Sequence, residues 1–239
     1  MAVAQKLACQ VERIIHHGEH VYTVELRPER LAPRFQPGQF LHLALDHYDP
    51  SGFWPESRVF SIANPPTQRE RLRITYSVQG RFTARMEREL AEGQQVWIKL
   101  PYGDFVVEDT SDVILFAGGT GITAFSAFLD GLTPEFRHLV YLAYGARIRD
   151  LLIYRDMVEQ RARVAPMLYA FYFIEREASE LQPNETASRL SVSAIWPQVQ
   201  NPSEATYYIS GPPPMLKAIA QDLRGRGVRA DAIRIDAWE

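Results

Sequence analysis

Three short stretches of this sequence combine residue types that can hold an anion. The first is Gly118-Gly119-Thr120-Gly121, which follows the apolar run Val113-Ile114-Leu115-Phe116-Ala117 and precedes Ile122-Thr123-Ala124. A glycine turn between a strand and a helix lets backbone N–H groups approach a phosphate at the positive helix end. Gly119, Gly121 and Ala124 also match the G-x-G-x-x-A spacing of a dinucleotide turn. A bare strand-to-helix turn favours the same glycines, so this spacing alone decides nothing. The second stretch is Arg58-Val59-Phe60-Ser61-Ile62. On a strand it sends Arg58, Phe60 and Ile62 to one face and Val59 and Ser61 to the other. Taken alone, it reads equally as an amphipathic strand with a surface arginine. The third is Gly80-Arg81-Phe82-Thr83, a loop feeding a helix start, which offers a second phosphate seat or a plain N-cap.

The elements around these stretches fall into two kinds. Alternating or β-branched runs at 7–15, 21–26, 39–45, 58–63, 72–78 and 95–100 are separated by Gly, Pro, Asn and Asp turns. Six such runs predict a small antiparallel barrel over 1–106, interrupted by one helix from Thr83, as N-cap, to about Ala91. After Pro101-Tyr102-Gly103-Asp104-Phe105 the pattern changes. Apolar strands at 113–117, 139–144, 167–174, 207–209 and 233–235 alternate with helices at 122–129, 150–161 and 215–224. That alternation predicts an α/β unit with a parallel sheet over 107–239. The Ser-, Pro- and Asn-rich segment 177–201 reads as loop plus a short helix near 192–199. With no flexible linker between the halves, a ligand cleft at their junction is expected.

Composition narrows the function classes. The 26 basic and 29 acidic residues give net −3, without the basic excess of a nucleic-acid binder. No apolar run reaches bilayer-spanning length and no signal-peptide core opens the chain, so a cytoplasmic protein is expected. Cys9 is the only cysteine, which excludes an internal disulfide and a four-cysteine iron–sulfur cluster within this chain. Its place in the alternation Leu7, Cys9, Val11 predicts a buried structural thiol. His16-His17-Gly18-Glu19-His20 matches the H-x-x-E-H string of a zinc peptidase, but Gly18 lies between two β runs and predicts a hairpin turn.

Taken together, the motifs resemble the ferredoxin–NADP reductase family. They are Arg58-x-Phe60-Ser61, Gly80-x-x-Thr83, the 101–105 segment, the 118–121 turn, Tyr144-Gly145-Ala146-Arg147, Ser210-Gly211-Pro212 and Trp238. The resemblance covers nearly the whole chain and implies a six-stranded Greek-key flavin barrel followed by a nicotinamide-binding α/β domain. It implies that Arg58, on the Val59-containing strand, pairs with the flavin phosphate. Phe60, where the family more often has Tyr, would stack on the isoalloxazine. Ser61 would hydrogen-bond flavin N5, and Gly80, Arg81, Phe82 and Thr83 would hold the pyrophosphate. Gly118, Gly119, Thr120 and Gly121 would cradle the nicotinamide dinucleotide, with Ser210, Gly211 and Pro212 beside the nicotinamide and Trp238 shielding the flavin.

The departures are specific. Serine replaces the family's usual cysteine at 210, and Asn64 stands where FAD-binding members often carry Ser, so FAD is expected with FMN as the alternative. About 20 positions past the glycine turn the stretch Leu142-Ala143-Tyr144-Gly145-Ala146-Arg147 holds no acid, and none comes until Asp150, against the pattern of an ordinary dehydrogenase. Glu175 and Glu177 against Arg176 favour NADH over NADPH as donor. The implied activity is a stand-alone NAD(P)H–flavin reductase. Ser61 and Ser210 would lie at the reacting atoms, and electrons would leave for a separate ferredoxin, flavodoxin, cytochrome or oxygenase component. A free-flavin reductase, an inert electron-transfer or regulatory module, and a nucleotide-binding protein without flavin remain the alternatives.

Overall fold

A computed structural model of the chain describes residues 3–176 and 180–236. The chain divides into two compact units, Met1–Val106 and Val107–Glu239.

In the first unit the alternating runs form β1 (Gln5–His16), β2 (Val21–Pro28), β3 (Phe40–Ala44), β4 (Ser57–Ser61), β5 (Leu72–Ser77) and β6 (Gln95–Tyr102). They pair antiparallel in the order β4-β3-β6-β1-β2-β5. Just beyond β4, the Ala63 N–H donates to the Arg73 carbonyl on β5 at 2.8 Å, bringing the two edges together into a nearly closed barrel. Leu7, Cys9 and Val11 point inward from β1, joined by Val24, Leu41, Ile74 and Ile98. Burial pushes the Cys9 thiol pKa up, as suits a packing residue. His17–Val21 is a hairpin turn, with Gly18 at φ +87° and the His17 N–H on the Val21 carbonyl at 2.9 Å.

The barrel helix differs from expectation at its start. It is α1 (Arg81–Glu89), its N-cap is Gly80, and Thr83 is its third residue. The Thr83 hydroxyl accepts from the Gln79 N–H at 2.9 Å and the Gly80 N–H at 3.1 Å. This is the reach-back half of a capping box, a role open to a polar residue at the third helical position as well as to the cap itself. Phe82 and Met86 then fall on one face and enter the barrel core.

The second unit is built on β7 (Val113–Gly118), β8 (Val140–Ala146), β9 (Leu168–Ile174), β10 (Glu185–Thr186), β11 (Thr206–Ser210) and β12 (Ile233–Ile235). All pair parallel, in the order β10-β9-β8-β7-β11-β12. Central β7 is buried along its whole length, which explains its unbroken apolar run. Its helices are α2 (Thr123–Asp130), α3 (Arg155–Val164), α4 (Val192–Ile195) and α5 (Pro213–Gly225).

Two expectations need correction here. The 150–161 helix is broken into a 3-10 turn, Arg149–Leu151, and α3 beginning at Arg155. Leu151 and Leu152 are buried ahead of α3, and buried Tyr154 is its N-cap. Strand β10 lies in a segment that reads as loop. It is held by the Glu185 carboxylate, which is closed off from solvent between Arg149 (2.9 Å) and Arg155. The hydrogen bond from Arg149, then that from the Gln182 backbone and Arg155, hold the Glu185 pKa down at about 2 against desolvation. Among the described residues no helix is long and apolar enough to cross a membrane.

Candidate functional site

Strand β4 sets the first cluster. It pairs with β3 so that Phe60 lies opposite Leu41 and Arg58 opposite Leu43. The expected alternation holds for Arg58, exposed, and half-buried Val59, then fails. Phe60, Ser61 and Ile62 are all buried. The strand ends at Ser61, where the Ile62 N–H turns to the Gln39 carbonyl at 3.0 Å. Phe60 belongs to the barrel core, its ring 6.1 Å from that of Tyr76, so little of it is open. The Ser61 hydroxyl has no side-chain partner among the described residues although the residue is 9% exposed.

Arg58 lies with its guanidinium 5.5 Å from the centre of the Phe82 ring at the start of α1. One of its nitrogens donates to the Ser57 carbonyl at 2.9 Å. Arg81, on the first turn of α1, donates to the Glu56 carboxylate at 3.0 Å, and Arg58 approaches the same oxygen at 3.7 Å. Two guanidinium groups therefore converge on one anion beside a helix N-terminus. The Gly80 N–H and the Thr83 hydroxyl are occupied with each other, so neither is an open anion donor. The unpaired N–H groups of the first helical turn and the two arginines remain for an anion. Asn64 is likewise spent: its amide donates to the Gln68 carbonyl at 2.7 Å and accepts from the Arg73 N–H at 2.7 Å. It closes the loop after β4.

In the second unit the structure brings the 118–121 turn against 210–212. A Cβ on Gly121 would lie 2.4 Å from the Ser210 carbonyl oxygen, and one on Gly118 would lie 2.5 Å from the Met215 sulfur and 3.0 Å from Pro212. A Cβ on Gly211, which has φ +152°, would lie 3.1 Å from the Gly118 backbone. These glycines are fixed by the contact between two turns. Gly119 is different: it has φ +54° and open space where a side chain would be. Gly119–Ile122 forms a 3-10 turn running into α2, and Thr120 is half-buried beside it. Ser210 ends β11 at the carboxyl edge of the sheet, where ligands of open α/β folds bind. Its hydroxyl donates to the Asp236 carboxylate at 2.8 Å, with both residues buried. Asp236 was not singled out by sequence. Its signal was an acid following directly on the apolar strand 233–235. Pro212 caps α5. Trp238 lies outside the described residues.

The edge expected to read the coenzyme holds more base than the sequence count suggests. The Glu175 N–H reaches the Ala146 carbonyl at 3.1 Å and the Arg176 N–H reaches that of Arg147 at 2.9 Å, extending the β8–β9 ladder. Arg189 pairs with Glu175 at 3.4 Å. Glu177 lies outside the described residues.

A family model for the oxidoreductase NAD-binding domain matches residues 115–221. Over 228 residues the chain is 29% identical to the tetrachlorobenzoquinone reductase of Sphingobium chlorophenolicum, covering 92% of this chain and 65% of that protein. It is 25% identical to the toluate 1,2-dioxygenase electron transfer component of Pseudomonas putida, covering 82% and 56%. The chain thus spans under two thirds of either relative's length. Among solved structures it superposes on the Amycolatopsis cytochrome P450 reductase GcoB with TM-score 0.84 at 20% identity, covering 99% of this chain and 70% of that one. It superposes on a ferredoxin NADP+ reductase from Neisseria gonorrhoeae, with bound FAD and NADP, at TM-score 0.76 and 19% identity, covering 98% of both chains. An antiparallel barrel followed by a parallel-sheet nucleotide unit defines a two-domain reductase fold. In fold and in its second unit the chain is similar to the ferredoxin–NADP reductase-like oxidoreductases.

Proposed function

We propose that the chain is an NAD(P)H-dependent flavoprotein reductase that binds FAD in its barrel and delivers electrons to a separate redox protein. The observation that carries this reading is the convergence of Arg58 and Arg81 on one carboxylate at the start of α1. Planar guanidinium forks suit a phosphate, and the first helical turn adds unpaired N–H donors. The same strand places the unpartnered Ser61 hydroxyl three residues further on, where it would hydrogen-bond the polar edge of a flavin ring system, with Phe60 beneath. The chemistry supplied by bound flavin is acceptance of hydride from a reduced nicotinamide and onward transfer of electrons.

In the second unit the open face of Gly119 and the N-terminal end of α2 would seat a dinucleotide phosphate. Asp236 orients the Ser210 hydroxyl: its proton is committed to the carboxylate, leaving the lone pairs to accept a hydrogen bond from a nicotinamide group. The acceptor would be a ferredoxin, flavodoxin, cytochrome or oxygenase component, the last in keeping with the toluate dioxygenase relative.

Purified protein should be yellow after gel filtration and should bleach within seconds on anaerobic addition of NADH or NADPH. Loss of colour on the column would point instead to flavin as an exchangeable substrate, and coloured protein that does not bleach to an inert module. A colourless protein that gains no flavin spectrum on reconstitution would refute the reading.

A further inference from the structure

The charges around α1 are unevenly matched. Arg85 has two acids to itself, Asp46 at 2.5 Å and Glu89 at 2.7 Å. Arg58 and Arg81 share one, Glu56, and its distance from Arg58, 3.7 Å, is an ion pair without a hydrogen bond. All three side chains are solvent-accessible, 36% for Glu56, 54% for Arg58 and 85% for Arg81, so the carboxylate is held loosely. Among the described residues the cluster therefore keeps one positive charge unmatched, with most guanidinium donors free, and carries a removable internal anion where an incoming phosphate would bind.

We propose that Glu56 is an internal competitor for the flavin phosphate and sets how tightly, and how selectively, the barrel holds phosphorylated flavins. The inference rests on the flavin reading above. Before phosphate binds, Glu56 satisfies Arg81 and draws Arg58 toward it. When phosphate binds, the carboxylate must give up Arg81, and if it stays nearby it repels the ligand. Both effects oppose a phosphorylated flavin and neither touches the ring. Glu56→Gln keeps the side-chain shape and removes the charge.

The test loads wild-type protein and E56Q separately with FAD, FMN and riboflavin, and follows flavin release on serial dilution by recovery of flavin fluorescence. E56Q should hold FAD and FMN about threefold or more tighter than wild type, as expected for removing one exposed charge. Riboflavin, which has no phosphate, should be unchanged. Equal FAD and FMN affinities in the two proteins, or an equal gain for riboflavin, would overturn the inference while leaving the flavin reading standing. Failure of the wild-type chain to hold any flavin would overturn both. Thermal melting of E56Q without flavin checks that the fold is intact, and Glu56→Ala provides a second variant with the same expectation.

Discussion

Arg58 and Ser61 lie three residues apart on one short strand, yet their removal should fail in different ways. Under the proposed flavin reading, Arg58→Ala deletes a charged fork that would bind phosphate and should weaken FAD binding about tenfold, in line with one charge-assisted hydrogen bond. On the same reading, Ser61→Ala deletes only a hydroxyl that would meet the flavin ring and should keep flavin content while slowing anaerobic reduction by about tenfold. Flavin content and stopped-flow bleaching separate the two; identical behaviour in both assays would show that the cluster is not a flavin seat. Asp236→Ala strands the Ser210 hydroxyl in a buried site, a loss of about 1–3 kcal/mol. It should lower the melting temperature by several degrees. At this scale the sequence revealed residues that belong to compact motifs. Glu56 was silent because a lone acid before a strand carries no spacing signal, and Asp236 had only the faint one of an acid directly after an apolar strand. Asn64 read as a cofactor discriminator because a buried amide that closes a loop looks the same in sequence as one that meets a ligand.

Elements were legible where periodicity alone fixes them. The six barrel strands were read from alternating or β-branched runs, and β7 announced itself as a fully buried run. What periodicity could not show were features settled by tertiary anchors. The break before α3 sits among the buried side chains of Leu151, Leu152 and Tyr154, and β10 is held by an ion cluster. That cluster has a pH signature. The Glu185 carboxyl is held at about 2, below its ordinary 4.5, so its stabilising contribution is present above about pH 4.5 and is lost as pH falls toward 2. Acid unfolding of the second unit should therefore begin below about pH 4.5, and Glu185→Gln should flatten that limb when followed by far-ultraviolet circular dichroism. The turns give a second test. Gly121→Ala drives a Cβ into a carbonyl at 2.4 Å and should lower stability by about 1–3 kcal/mol. Gly119→Ala has room and should cost only about 1 kcal/mol for its positive φ. Thermal melts of the two rank them.

For the whole molecule, motif order along the chain is enough to indicate a two-unit reductase fold. The donor was less legible. Two acids against one base favoured NADH, but Arg147 and Arg189 come to the same edge only through folding. Initial rates with NADH and NADPH side by side will decide between them, and substitution of Arg189 should shift the ratio if this edge reads the 2′-phosphate. The acceptor leaves no short motif, because docking surfaces are assembled from scattered residues. The interlocked glycines, finally, make two turns that are ninety residues apart into one mutational unit. A combinatorial library over 118–121 would return glycine at 118 and 121 in nearly every folded clone, and tolerate Asn or Asp beside glycine at 119. Efforts to retrain this protein toward a different dinucleotide should place their diversity at 119 and 120, or randomise 210–215 at the same time.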